Sequence, residues 1–564
     1  MIRMLVEERE VGMIRSYSRW VEFSVCSLAL DSVMVVPVVK VKQGWLRGAT
    51  VESITGESYI SFKGIPFAAP PVGKLRFADP TPPQSWTGIR DALQYGPSCA
   101  QIDMLKHQLV GSEDCLYLNI ATTSLSGSRP VMIFFHGGAF TYGNAKDDLY
   151  GEDYLVTAGI VYVAMNWRLA VLGFLHLDDP VVPGNMGLKD QTAALKWVKE
   201  NISQFGGDPN NVTIFGVSSG GASVHYQILS PLSKGLFHKA IMQSGNALDH
   251  WATATKPADT LRRYIAALGK ETSDPQEIVE FLRGLSIEEL MKAQQDLIVP
   301  EDMRWLQFPF RPSVDDKSEN PFMPRCPKEL ALKGSEVPLI IGYNSYEGNL
   351  LTRGMQNKVS TILDENSKLG LPDGLVTHDH PKRDAVSDEI RKFYFGDEPI
   401  SEESAYDWIR ACGDISYVFG AHKVVESQQK RIAPCYFYKF TFDVSRTFSK
   451  FYFNLSLEST IEGPGHADEL PYIFNVKMAG DYLRFNPGTQ ERITSDRMIR
   501  MWTDFAKTGI PTSKIDDVIN VEWLPVSQTT KHYLNIGAEL SADTNPDEEV
   551  IHLRDNISEI LNSN

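Results

Sequence analysis

The chain has 564 residues, of which 43% are apolar and 10% are aromatic, as in an ordinary globular protein and unlike a disordered one. Its 55 Lys and Arg against 71 Asp and Glu give a net charge of −16, which repels phosphate backbones and anionic membrane faces. Nucleic acid is therefore disfavoured as a partner, and the absence of a run of about 20 apolar residues predicts no transmembrane segment.

Residues 1–38 are predicted to form an N-terminal extension, which has three interpretations. The run FSVCSLAL, followed by Asp31 and VMVVPVV, has the apolar character of a secretion signal that a charge interrupts. The preceding EERE adds acids where such a signal carries a short basic segment. A loose extension or a wrongly assigned start explains the segment equally well, so a cytosolic and a secreted location both stay open.

The six cysteines are too sparse for a disulfide framework and lack CxxC metal spacing, so we expect no metal and no cofactor. Cys99 and Cys115 alone are close enough in sequence to favour a small looped disulfide. Four Asn-x-Ser/Thr sequons permit glycosylation if the chain enters the secretory pathway. They lie at Asn201, Asn211, Asn454 and Asn556.

Four short apolar runs, at residues 131–135, 160–167, 212–216 and 337–343, predict strands that are buried on both faces. Such strands belong to a large, mainly parallel central sheet flanked by helices. Between the second and third runs, residues 186–205 predict a helix, with apolar side chains on one face at positions 188, 194, 195, 198 and 202. The sequence therefore predicts an α/β fold in one large domain with insertions.

The stretch FGVSSGGAS, residues 215–223, lies between a predicted strand and a predicted helix. A nucleophile elbow needs small residues two positions before and two positions after its serine, because the turn is sharp. Ser218 has Gly216 and Gly220 there, whereas Ser219 and Ser223 each lack one glycine. Ser218 is thus the predicted nucleophile, and the alternative is an inert glycine turn.

A serine hydroxyl needs a base that is oriented by an acid, and in a strand–elbow–helix fold these follow the serine in the order acid, then histidine. His466 follows a Gly-Pro-Gly loop able to project its imidazole into a cleft, and Glu347 follows the buried run VPLIIGY. We predict His466 as the base and Glu347 as the acid that fixes its tautomer. A surface histidine and a solvated carboxylate are the alternatives.

Together these motifs resemble the type-B carboxylesterase and cholinesterase family of α/β-hydrolases, most closely the insect α-esterases, from about residue 38 to about residue 550. The resemblance implies an α/β-hydrolase domain over residues 39–555, insertions that form an active-site gorge, and a C-terminal tail at 556–564. It is carried by the blocks GIPFAAPPVGKLRF, EDCLYLN, HGGAF, GNMGLKDQTAALKWVKENISQFGGDPNNVTIFG and GHADELPYIF.

The resemblance also assigns residues. It implies oxyanion-hole donors at the backbone N–H groups of Gly138, Ala139 and Ser219, a Cys99–Cys115 disulfide, and the same acid and base. Three aromatic residues would line an acyl pocket, with plain core packing as the alternative. They are Trp251, Phe308 and Phe310.

Three departures from the family pattern bear on the substrate. Val217 stands where relatives that act on cationic substrates have glutamate, and the 99–115 loop contains no tryptophan for cation–π contact with a quaternary ammonium group. Choline esters are therefore disfavoured. Ala139 replaces the third glycine of the oxyanion loop, and its methyl group is expected to narrow the site.

The sequence thus predicts a serine carboxylesterase that cleaves uncharged or lipophilic esters through an acyl-enzyme, in xenobiotic or lipid-ester metabolism, with organophosphates as inhibitors. One alternative is a juvenile-hormone-type esterase, although such relatives usually have glutamine where this chain has Val217. Another is a protein that sequesters organophosphates with slow turnover. The physiological ester and the choice between monomer and homodimer stay open.

Overall fold

The computed structural model describes residues 36–104, 106–299, 303–352, 370–398, 400–401, 404–453 and 463–563. In this part of the chain the strands are β1 (Val38–Val41), β2 (Gly44–Arg47), β3 (Ala49–Glu52), β4 (Ser58–Pro66), β5 (Ile89–Asp91), β6 (Gln101–Ile102), β7 (Leu109–Val110), β8 (Tyr117–Thr122), β9 (Arg129–Phe135), β10 (Val161–Met165), β11 (Gly207–Val217), β12 (Lys239–Gln243), β13 (Leu339–Asn344), β14 (Cys435–Phe440), β15 (His532–Ile536) and β16 (Leu540–Thr544).

Eleven of these strands form one sheet, in the spatial order β16-β15-β14-β13-β12-β11-β9-β10-β8-β4-β3. The seven strands from β15 to β10 in this order pair in parallel. The strands outside them, β16 at one side and β8, β4 and β3 at the other, pair antiparallel. The predicted runs correspond to β9, β10, β11 and β13, and the mainly parallel sheet is confirmed.

Helices cover both faces of this sheet, as a parallel sheet requires. Among the described residues they are α1 (Asp147–Tyr150), α2 (Asp153–Thr157), α3 (Ala170–Phe174), α4 (Met186–Asn201), α5 (Ser219–Leu229), α6 (Pro257–Ala267), α7 (Pro275–Gly284), α8 (Ile287–Asp296), α9 (Pro327–Ala331), α10 (Arg383–Phe395), α11 (Ala405–Gly413), α12 (Phe419–Gln428), α13 (Phe448–Tyr452), α14 (Gln490–Thr508) and α15 (Glu548–Asn562).

The side chains of β9 show how the two layers arise. Val131 and Ile133 pack in one apolar cluster together with Leu195 of α4, whereas Met132 and Phe134 pack in a second cluster together with Trp502 of α14. Successive side chains of a strand point to opposite faces, so one uninterrupted apolar run supplies both clusters. This explains why the central strands show no polar alternation in the sequence.

Helix α4 buries more than its predicted apolar face. The helix ends at Asn201 and continues as a 3₁₀ turn, Ile202–Phe205, close to the predicted end. Lys189 and Asp190 are also buried, and each has a charged partner: Lys189 Nζ lies 2.8 Å from Asp79, and Asp190 accepts from Arg168 at 2.7 Å. Buried charges are paired in this way because a buried charge without a partner would carry an uncompensated desolvation cost.

The two ends of the chain differ from the expected boundaries. Strand β1 begins at Val38 inside the predicted extension, and residues 1–35 lie outside the described part. At the other end, residues 556–562 are not a tail but the last turns of α15, and Ile557 is buried. From Pro37 onward the described residues form one compact unit, in which we find no helix long and apolar enough to cross a bilayer.

Candidate active site

Ser218 lies in the turn between β11 and α5, with φ 59° and ψ −127°. The two flanking glycines are required by close packing. A Cβ added to Gly216 would lie 2.6 Å from the carbonyl carbon of Gly220, and one added to Gly220 would collide with the carbonyl oxygen of Phe135. The sharp strand-to-helix turn expected around Ser218 is therefore present.

Glu347 and His466, far apart in sequence, are hydrogen-bonded to each other. Nδ1 of His466 lies 2.6 Å from Oε2 of Glu347, and both side chains are buried. A carboxylate at Nδ1 favours the tautomer that carries a proton there, which leaves Nε2 free to accept one. The pair thus has the geometry of an oriented base.

The other carboxylate oxygen of Glu347, Oε1, also accepts hydrogen bonds. It accepts from the Ser244 hydroxyl at 2.5 Å and from the backbone N–H of Asn344 at 2.7 Å. Ser244 follows β12 and Glu347 follows β13, so these groups meet at the carboxyl edge of two neighbouring parallel strands. Three donors hold the carboxylate in one orientation.

The loop that carries His466 is fixed by its own hydrogen bonds. The His466 N–H donates to Oδ1 of Asn349 at 3.1 Å, and the Gly465 N–H donates to Asp468 at 2.6 Å. The imidazole also packs on the Tyr417 ring, with centroids 4.7 Å apart. Burial raises the pKa of Asp468 to about 6.

A second buried glutamate lies behind the pair. Glu469 accepts from the side-chain amides of Asn344 at 2.7 Å and Gln243 at 3.1 Å. Burial, and then the charge of Glu347, raises the pKa of Glu469 to about 7. Sequence reasoning missed Ser244, Asn344 and Glu469, although Asn344 and Glu469 stand in the same motifs, GYNSYEG and GHADELPY, that supplied Glu347 and His466.

The predicted oxyanion loop follows β9 and packs directly on the serine turn. Gly138 has φ 123° and Ala139 has φ 51°, so both lie in the left-handed half of conformational space. A Cβ added to Gly137 would lie 3.3 Å from Cβ of Ser218. Ser219 is the first residue of α5, where backbone N–H groups have no partner within the helix and attract negative charge.

Ser218, His466 and the oxyanion loop share one cavity, which encloses about 790 Å³ including its open mouth. Most of its wall is apolar or aromatic, and Asp103 is the one carboxylate among the described lining residues, which include no Lys or Arg. The lining residues are Gln101, Asp103, Met104, Gly137, Gly138, Ala139, Tyr142, Gly143, Asn144, Leu149, Tyr150, Val217, Ser218, Leu306, Leu350, Phe448, Tyr452, Phe453, His466, Ala467 and Leu470.

The three aromatic residues predicted for an acyl pocket are not among these described lining residues. Trp251 packs behind the site, between Phe140 and Tyr417, with ring centroids 6.4 and 5.8 Å away. Phe310 packs edge-on against the ring of Tyr264 at 4.9 Å. Phe308 lines a separate cleft. Their control of acyl size stays a prediction, and Trp251 could act only through its neighbours.

The structure confirms the Cys99–Cys115 disulfide, with the two Cα atoms 4.9 Å apart. The sequons differ in accessibility. Asn201 is 1% exposed and uses its side chain for hydrogen bonds to Lys42 and Trp197, so the folded protein leaves it no room for a glycan. Asn211 is half-buried, Asn556 is exposed, and Asn454 lies outside the described residues.

The sheet order, the serine elbow at its carboxyl edge and the buried Glu–His pair define an α/β-hydrolase. Comparison with known proteins gives the family. Residues 35–553 match the model of the Carboxylesterase family, and this chain belongs to that family of hydrolases.

Several insect esterases are similar over nearly the whole chain. Esterase E4 of Myzus persicae is 36% identical over 510 residues, covering 87% of this chain and 89% of the relative. The juvenile hormone esterase of Tribolium castaneum is 32% identical, covering 91% and 89%. The crystal structure of juvenile hormone esterase from Manduca sexta, with OTFP covalently attached, has a TM-score of 0.83 at 29% identity, covering 93% of this chain and 100% of that one.

Proposed function

We propose that this protein is a serine carboxylesterase that hydrolyses uncharged, lipophilic carboxylic esters through an acyl-enzyme. The observation that carries the proposal is that His466, which is hydrogen-bonded to the buried Glu347, lines the same cavity as Ser218. The proposed mechanism needs only these side chains and backbone N–H groups.

In the acylation step, Oγ of Ser218 attacks the ester carbonyl carbon while Nε2 of His466 takes the hydroxyl proton. The carbonyl oxygen becomes an oxyanion, which the N–H groups of Gly138, Ala139 and Ser219 stabilise. Each such donor contributes about 2.7–4 kcal/mol in comparable sites. The bond to the leaving alcohol then breaks as His466 protonates that oxygen, and the acyl group stays on Ser218.

Deacylation repeats these steps with water. Nε2 of His466 removes a proton from the water as its oxygen attacks the acyl carbon, and a second oxyanion forms in the same hole. Collapse of this intermediate releases the carboxylic acid and returns the proton to Oγ of Ser218. The Glu347 carboxylate stabilises the imidazolium of each step.

The cavity wall supports the proposed substrate class. A wall with many apolar side chains and no Lys or Arg among its described residues favours neutral, lipophilic groups on both sides of the ester bond. Val217 presents a methyl-bearing side chain next to Ser218, so the cavity has no carboxylate there to attract a cationic alcohol.

The test is hydrolysis of a p-nitrophenyl ester and labelling by a fluorophosphonate, followed by peptide mapping. Ser218→Ala is expected to lose both hydrolysis and labelling, whereas the control Ser223→Ala, in the adjoining helix α5 and bonded to Gln191, is expected to keep both. Hydrolysis that survives in Ser218→Ala would refute the mechanism. A burst of phosphorylation without ester turnover would instead favour the organophosphate-sequestering alternative.

A second candidate is a juvenile-hormone-type esterase, and the observation in its favour is the structural similarity to the Manduca sexta enzyme. Val217 at the position before the nucleophile speaks against it. Competition between a generic naphthyl ester and a juvenile hormone methyl ester distinguishes the two. A strong preference for the hormone, measured as kcat/KM, would favour the second candidate.

A further inference from the structure

Gln101 connects the disulfide loop to the predicted oxyanion loop. It lies in β6, two residues after Cys99, and its side chain is buried. Its Oε1 accepts from the Gly143 N–H at 2.7 Å, while its Nε2 donates to the carbonyls of Gly143 and Cys99, both at 2.9 Å. The Gln101 side-chain amide thus binds both the N–H and the carbonyl of Gly143 and links them to the backbone of Cys99.

Gly143, at the end of the predicted oxyanion loop, packs directly against the residues at its beginning. It has φ 119°, and a Cβ added there would lie 2.5 Å from the carbonyl oxygen of Gly137 and would collide with the ring of His136. The preceding residue, Tyr142, donates its N–H to the carbonyl of Gly138 at 3.0 Å. The position of Gly143 therefore determines where Gly137 and Gly138 lie against Ser218.

The other side of the anchor is held by a disulfide and by backbone hydrogen bonds. The Cys99–Cys115 disulfide closes the loop, strands β6 and β7 pair within it, and the Ala100 N–H donates to the carbonyl of Ser112 at 3.0 Å. Donors to a developing oxyanion must be held within about 0.5 Å of their productive positions, and this requires such a fixed support.

We infer that Gln101 is a positioning residue for ester hydrolysis. Its side-chain amide fixes the positions of the Gly138 and Ala139 backbone N–H groups relative to Oγ of Ser218. This inference rests on the proposed function, because it assigns these N–H groups to an oxyanion. Although Gln101 also lines the cavity, the role inferred here is exerted through the loop, and Gln101 takes no part in bond making.

The hydrogen-bonding pattern explains why glutamine stands here. The side chain at position 101 must accept one hydrogen bond, from the Gly143 N–H, and donate two, to the carbonyls of Gly143 and Cys99. The planar primary amide of glutamine supplies the acceptor and both donors. Gln101→Met keeps the length and nearly the volume but removes every hydrogen bond. Gln101→Glu keeps the acceptor for the Gly143 N–H and places a carboxylate oxygen against two carbonyl oxygens.

The chain offers a matched control in Gln428, which is also buried and is not among the described lining residues of the cavity. It accepts from the Ser335 N–H at 2.8 Å and donates to the carbonyls of Ser335 at 3.2 Å and Ala433 at 2.9 Å. Gln428→Met therefore removes the same set of bonds from another part of the fold. A comparison of the two Met variants separates loss of stability from loss of oxyanion geometry.

The experiment measures kcat and KM for a p-nitrophenyl ester, and the inhibition constants of an alkyl trifluoromethyl ketone and its secondary alcohol. The ketone forms a tetrahedral oxyanion on the serine, and the alcohol does not. In Gln101→Met we expect kcat and ketone affinity to fall roughly tenfold or more, short of the 10²–10³-fold loss of a whole donor. KM and alcohol affinity should change less than about threefold, because the interaction that is lost forms only in the transition state.

Gln428→Met is expected to lower the unfolding temperature about as much as Gln101→Met while leaving kcat within about twofold of the wild type. An unchanged kcat in folded Gln101→Met, an equal fall in Gln428→Met, or a rise in KM alone would overturn the inference. If Gln101→Met does not fold, Gln101→Glu takes its place with the same expected loss. Activity in Ser218→Ala would instead refute the proposed function, and an inactive Ser218→Ala beside a normal Gln101→Met would refute only this inference.

Discussion

Replacement of Glu347 by glutamine tests the hydrogen bond between Glu347 and His466, the contact on which the assignment of His466 as the base depends. Oε1 of Glu347 accepts two hydrogen bonds, from the Ser244 hydroxyl and the Asn344 N–H, so the amide oxygen of a glutamine must take that position. Its NH₂ group then faces Nδ1 of His466, which the native Oε2 contacts at 2.6 Å. An N–H donor there forces the proton of the neutral imidazole onto Nε2.

With a proton on Nε2, His466 cannot accept one from Ser218. The equivalent acid-to-amide change in a serine protease triad lowers kcat about 10⁴-fold, which corresponds to about 5.4 kcal/mol at about 1.36 kcal/mol per decade. We expect a loss of about this size in Glu347→Gln. KM should change little, because Glu347 is not among the described residues that line the cavity.

Stopped-flow release of p-nitrophenol measures this acylation step directly. Circular dichroism and the unfolding temperature provide the control that the variant is folded. A fall in kcat of less than about tenfold in folded Glu347→Gln would refute the assignment of Glu347 as the acid that orients His466.

Three further predictions concern stability. In Gly220→Ala the new Cβ collides with the carbonyl oxygen of Phe135. The free energy of unfolding, measured by denaturant titration, should therefore fall by about 1–3 kcal/mol, and fluorophosphonate labelling should be lost. Normal labelling would contradict this prediction. Replacing both Cys99 and Cys115 by serine should cost about 3 kcal/mol in the same titration, as expected for a loop of about 15 residues, and a loss below about 1 kcal/mol would be inconsistent with it. Burial raises the pKa of Glu469 to about 7 from 4.5, so the folded protein keeps a proton that the unfolded chain releases, and stability falls as pH rises through this window. Glu469→Gln should lose that part of the pH dependence of unfolding, and an unchanged slope would argue against a raised pKa.

The serine turn could be predicted from sequence because its constraint is local. Only a residue with glycine two positions before and after it fits so sharp a turn, and three neighbouring serines could be tested against that rule alone. Glu347 and His466 could be proposed because each follows a recognisable signal, a buried apolar run and a Gly-Pro-Gly loop. Their hydrogen bond to each other, across 119 positions, comes from the structure.

The groups that hold Glu347 could not be predicted, because they depend on strand order. Ser244 reaches Glu347 only because β12 and β13 are neighbours with Gln243 beside Gly342, and no periodicity in the chain states which strands pair. The aromatic residues show the same limit. The sequence gives their size and apolar character, but whether a buried ring faces a cavity or another ring is decided by tertiary packing, as for Phe310 against Tyr264.

The backbone at Ser218 has a consequence for evolution as well as for chemistry. Its angles, φ 59° and ψ −127°, lie where side chains with a Cβ are strained by about 1–3 kcal/mol and glycine is not. Glycine at position 218 would therefore relieve this strain, and it would also remove the proposed nucleophile. A lineage that lost catalysis would therefore gain stability from this substitution, whereas an active enzyme that keeps the serine also keeps the strain of the turn.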